Sequence, residues 1–66
     1  MDEQDNLALR KFLHDLNNRV GTILATAELL QMEPLPPKAN ERSRLIENKA
    51  LEVREIVRNI QEHFMK

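Results

Sequence analysis

His14 and Asp15 stand side by side in the stretch Phe12-Leu13-His14-Asp15-Leu16-Asn17-Asn18, with Gly21 and Thr22 close behind. A neutral imidazole is a competent nucleophile near neutral pH. To attack, it needs one ring nitrogen bare and the other protonated and held. The Asp15 carboxylate is of the right type to hold that proton and to accept it as charge develops. Asn18, a helical turn beyond His14, offers an amide that can orient a phosphoryl oxygen or a water, and Asn17 is equally available by type. Arg10 and Lys11, about a turn earlier, suit the partial neutralisation of phosphate charge.

The same stretch breaks local rules. His, Asp, Asn, Gly and Thr are mediocre to poor helix formers, with Gly costing about 1 kcal/mol relative to Ala, yet they cluster inside a segment whose apolar spacing is helical. Inconsistency of this kind marks functional sites more often than structural ones.

The elements that must carry these residues are simple. Leu13, Leu16, Val20, Ile23, Ala27 and Leu30 alternate spacings of three and four, the seam of a heptad repeat, with Leu9 extending it. A first helix is expected over residues 5–33, capped by Asp5 or Asn6, with Asp2 as an earlier alternative. Pro34-Leu35-Pro36-Pro37 stops it, because proline lacks an amide donor and pushes the preceding residue out of the helical region. After a loop over 34–39, Asn40 is the expected cap of a second helix over 40–65, carrying Ile46, Ala50, Val53, Val57, Ile60 and Phe64 at the same alternation. His63 and Lys66 suit the negative end of that helix, and Glu62 to Lys66 is a favourable pair.

Composition narrows the class. The chain has 66 residues, no cysteine and a single glycine, so neither a disulfide frame nor a turn-rich β-fold is supported. The expectation is one all-α domain: an antiparallel helical hairpin. A lone hairpin leaves much of its apolar stripe wet, and Phe12, Leu24, Leu45, Leu51 and Ile56 widen the stripes to bundle proportions. Two copies are therefore expected to pair as a homodimeric four-helix bundle. A net charge of −1 with acids and bases interspersed gives no basic stripe for nucleic acid. No apolar run is long enough to span a bilayer, so no direct membrane contact is expected. The chain reads as cytoplasmic, a placement compatible with a membrane-anchored parent. No metal-ligand cluster is visible.

On a helical projection, His14, Asn18, Gly21 and Ala25 fall together opposite the seam, and Leu29 continues the strip. The imidazole is thus expected to face solvent among small side chains, where a phosphoryl group or another protein's backbone can approach.

The stretch Phe12 to Asn18 resembles the H-box of bacterial sensor histidine kinases, and nearly the whole chain is similar to their dimerisation and histidine-phosphotransfer domain. The Asp-Leu-Asn-Asn wording is similar to hybrid kinases in particular. That resemblance implies that His14 is the phospho-acceptor, Asp15 the general base of autophosphorylation, and Asn18 the residue that positions water for dephosphorylation. It implies ATP and Mg used by a separate catalytic domain, no cofactor in this chain, and a response-regulator receiver domain as partner, docked along Gly21, Ala25 and Leu29 and the early second helix. Arg19 departs from the pattern, since many members carry a helix-kinking proline there. Val20-Gly21-Thr22-Ile23 is also similar to stand-alone histidine phosphotransferases. No nucleotide-binding motif is present, so the chain is not a complete kinase. A non-catalytic dimerisation module is the alternative of a different class.

Overall fold

The computed structural model describes residues 2–65. Two helices carry nearly all of them: α1, Glu3–Gln31, and α2, Pro37–Phe64. They pack against each other as a hairpin 50 × 16 × 12 Å in extent. The expected hairpin is present, with both helices starting earlier than the sequence suggested.

Asp2 is the N-cap of α1, ahead of Asp5 and Asn6. Its Oδ1 accepts from the Asp5 amide at 2.8 Å, and its carbonyl accepts from the Asn6 amide at 3.0 Å. Asp5 sits in the first turn, where its charge meets the positive end of the helix. At the other end, the Met32 and Glu33 amides each donate three residues back, to Leu29 and Leu30, at 3.1 Å. This tightened turn ends α1 at Gln31, two residues short of the expected 33, because Glu33 precedes Pro34 and is excluded from helical geometry.

The start of α2 corrects the expectation more sharply. Pro36 is the N-cap and Pro37 the first helical residue, three residues before Asn40. Proline is suited to that position, since the first amide of a helix has no partner to lose and the ring pre-sets the backbone angle. Asn40 lies instead at the end of the first turn, its amide donating to Pro36 O at 2.9 Å. Met65 closes α2 with its amide on Gln61 O. The expected pairing of Glu62 with Lys66 lies outside the described residues.

The apolar row divides between two faces. Leu13, Val20, Leu24 and Ala27 of α1 and Ala50 and Val57 of α2 are buried, with Val20, Leu24 and Ala50 packed together and Val53 against them. Leu16, Ile23 and Leu30, the alternate members of the seam, are 41%, 50% and 36% exposed, and Ile46 on α2 is 46% exposed. A heptad seam thus supplies one row to the partner arm and a second row that the hairpin alone leaves open. Ile23 and Ile46 share two adjoining apolar hollows, whose other walls include Val20, Ala27, Leu30, Leu45, Ala50 and Val53.

Near the loop the packing turns polar. Ser43 is 1% exposed, and its hydroxyl donates to Asn40 O at 2.7 Å. Gln31, at the end of α1, donates its amide towards Ser43 O at 3.5 Å and Glu47 Oε1 at 3.4 Å. No described helix is long and apolar enough to cross a membrane.

Candidate functional site

His14, Asn18 and Ala25 lie exposed on α1, and Gly21 between them is half-buried. The helical repeat sets them about 170° from the open apolar row of Leu16 and Ile23. The site therefore stays accessible whatever covers that row.

A hydrogen bond joins the first two members. The Asn18 Nδ2 amide donates to His14 Nδ1 across 3.4 Å, the natural reach of residues four apart on a helix. Asn18 is also fixed through its backbone. Thr22 Oγ1 donates to Asn18 O at 3.2 Å, and Thr26 Oγ1 repeats the pattern on Thr22 O at 2.7 Å. Threonine back-bonding of this type slightly bends a helix.

Asp15 is placed differently from the other candidates. One residue on from His14, it points about 100° around the helix, into a separate shallow hollow with Asn18, Arg19 and Thr22. Among the described residues no hydrogen bond joins Asp15 to His14, and the imidazole's partner is Asn18. Asn18 borders both the Asp15 hollow and the larger groove described next.

That groove runs from Asn17 and Asn18 past Gly21 and Ala25 to Leu29 and Met32. It brings together three of the expected docking residues, Gly21, Ala25 and Leu29. An alanine-type Cβ at Gly21 would meet nothing within 4 Å, so its floor is open for want of a side chain. Leu29 and Met32 are 63% and 82% exposed and give the groove an apolar end.

Arg54 was not singled out from the sequence, yet it forms part of the far wall from the middle of α2. The signal lay in the hairpin itself. Gln31 meets Ser43 and Glu47 across the loop, so reflecting α1 onto α2 brings Gly21 level with residues near 54. Glu28 also lines the groove. Among the described residues no group of three His, Cys, Asp or Glu side chains is placed to hold a metal ion.

The arrangement offers an exposed imidazole with one nitrogen engaged by an amide, next to an open groove that Asn18 also lines. No family model, curated protein or solved structure matches the chain.

Proposed function

We propose that the chain is the dimerisation and phospho-acceptor domain of a sensor histidine kinase, with His14 receiving a phosphoryl group from ATP held by a separate catalytic domain. The observation that carries this reading is the H-box-like stretch from Phe12 to Asn18, set on the solvent side of a helical hairpin with His14 and Asn18 in contact.

In the forward step the bare imidazole nitrogen attacks the γ-phosphorus. A nitrogen–phosphorus bond forms as the bond to the ADP oxygen breaks. The proton on the other ring nitrogen leaves to Asp15 or water. In the second step a receiver aspartate oxygen attacks phosphorus, the nitrogen–phosphorus bond breaks, and the imidazole departs neutral after taking back a proton from Asp15 or water. Mg on the catalytic domain offsets charge on the phosphates. The chain's own residues present the ring, orient it through Asn18 and seat the receiver along Gly21, Ala25 and Leu29.

The open apolar hollows around Ile23 and Ile46 support pairing of two hairpins into a four-helix bundle, since contiguous exposed apolar surface marks interaction sites. This face supports equally a plain dimerisation module in which His14 is dispensable. A stand-alone histidine phosphotransferase would use His14 in the same second step.

Labelling with a small phosphoramidate donor, read by mass spectrometry at neutral pH, separates these readings, with His63 as internal control. Acid-labile modification preferring His14, lost in His14→Gln with the dimer intact, is the expected result. Equal labelling of both histidines, or none at His14, favours the dimerisation module.

A further inference from the structure

We propose that Arg19 is a contact between two copies of the chain, its guanidinium reaching Glu52 of a second hairpin laid on the open apolar face, with the symmetric pair formed by the other copy. The inference rests on the self-association proposed above and fixes how the two hairpins are oriented.

The open residues of the two arms stand level with one another. Gln31 against Ser43 and Glu47 sets the alignment. At equal rise per residue, Leu30 is then level with Ile46, Ile23 with Val53, and Leu16 with Ile60. The hollows around Ile23 and Ile46 put these rungs on one side of the hairpin, and the groove of Gly21 and Arg54 lies on the other. A second hairpin set on the rungs in the same direction, related by a two-fold axis along the bundle, keeps every rung at its own height. Each α1 then lies beside its own α2 and beside the α2 of the other copy.

Arg19 stands at the edge of this face. It lies about 40° around the helix from Ile23 and about 60° from Leu16, on the side turned away from the buried Val20. It is exposed and makes no ion pair among the described residues, although Asp15 stands four residues before it. On α2 the residue level with it is Ile56, which is 56% exposed and continues the strip of Leu45 at the rim of the open hollow. Glu52, one turn from Ile56, shares that edge and is held only by the exposed Lys49 at 3.2 Å. In the two-fold arrangement the α1 edge of one copy meets the α2 edge of the other. The aliphatic stem of Arg19 covers Ile56 of the second copy, and the guanidinium extends to Glu52. Stacked in the reverse direction, α1 runs beside α1. Arg19, midway along the row from Leu9 to Leu30, would then face its own copy, a like-charge contact that an interface disfavours. Charge complementarity therefore selects the same direction.

A charge-exchange cycle on the full chain, read by sedimentation equilibrium, tests the pair. Arg19→Glu and Glu52→Arg should each weaken self-association about fivefold or more, since a dimer loses two exposed ion pairs. The double variant should return to within about twofold of the wild type, and the single-variant penalties should fade in about 1 M salt. Effects within one chain, through Asp15 beside Arg19 or Lys49 beside Glu52, add in the double variant and give no recovery. Single variants that associate as the wild type does, or a double variant as weak as both penalties combined, overturn the pairing while the dimer stands. A wild-type chain that stays monomeric refutes the self-association and the pairing with it. Phosphoramidate labelling of His14 does not depend on this pair, so the phosphotransfer reading fails or holds separately.

Discussion

Replacing Gly21 by Ala should make the protein more stable and less able to dock a receiver. Gly21 lies in the interior of α1 with ordinary negative backbone angles and open space where a Cβ would stand. The substitution therefore gains the helix propensity of alanine, about 1 kcal/mol, with no clash to offset it. Unfolding entropy is about 2.1 cal/mol/K per residue, so for 66 residues that gain raises Tm by about 7 °C. In a dimer both copies gain and both contribute entropy, so the shift is the same. Asn17→Ala should give a smaller rise, about 5 °C, from a propensity difference of about 0.7 kcal/mol. Thermal melts followed by circular dichroism at matched chain concentration read both. The functional half of the prediction is that the new methyl, standing in the groove, slows transfer to a receiver. A Tm that stays level or falls in Gly21→Ala would show that the glycine serves packing, and the inference that this helix sacrifices stability for access would be wrong.

The open apolar face makes a separate prediction. Ile23→Lys places a charge where a second hairpin is proposed to sit, and losing about 0.8–1.5 kcal/mol per copy, half the worth of a full burial because Ile23 is 50% exposed in the hairpin, should weaken self-association by roughly tenfold or more. Sedimentation equilibrium tests it, and a wild-type chain that stays monomeric at high concentration refutes the dimer. Ala25→Arg fills the groove beside Gly21 while facing solvent; it should leave Tm and dimerisation unchanged and cut phosphoryl transfer to the receiver at least tenfold, and undiminished transfer would remove this groove from the docking surface.

Much of the hairpin is legible in the sequence because its two strongest signals are local. Alternating three and four spacings specify a helix without reference to any neighbour, and Pro34 ends the first arm by chain geometry alone. The helix starts are less legible for a physical reason. Asp2, Asp5 and Asn6 are all chemically able to cap, and only the folded backbone shows that Asp2 reaches the Asp5 amide. Pro36 and Pro37 read as breakers, although at the first helical position proline costs nothing. The heptad row also hid a division. Spacing places Leu13 and Leu16 on one stripe, but the direction of α2 decides that Leu13 is 4% exposed and Leu16 41%. At the site, the common face of His14, Asn18, Gly21 and Ala25 follows from angular position alone. The partner of the imidazole does not: adjacency in sequence favoured Asp15, whereas neighbours on a helix surface are four apart, and the ring meets Asn18.

The polar cluster beside the loop has a consequence for how the two arms are aligned. Rows spaced by seven repeat themselves. Displacing α2 along α1 by seven residues, about 10.5 Å at 1.5 Å per residue, would again set apolar side chains against Leu13, Val20 and Ala27. The apolar rows therefore leave the register nearly degenerate. Gln31 does not, because its amide reaches Ser43 O and Glu47 in one alignment alone, and a slipped pairing would leave half-buried polar groups unsatisfied. The height of His14 above the loop is thus set by a polar mark at the closed end, while the attraction between the arms comes from side chains that would accept several heights.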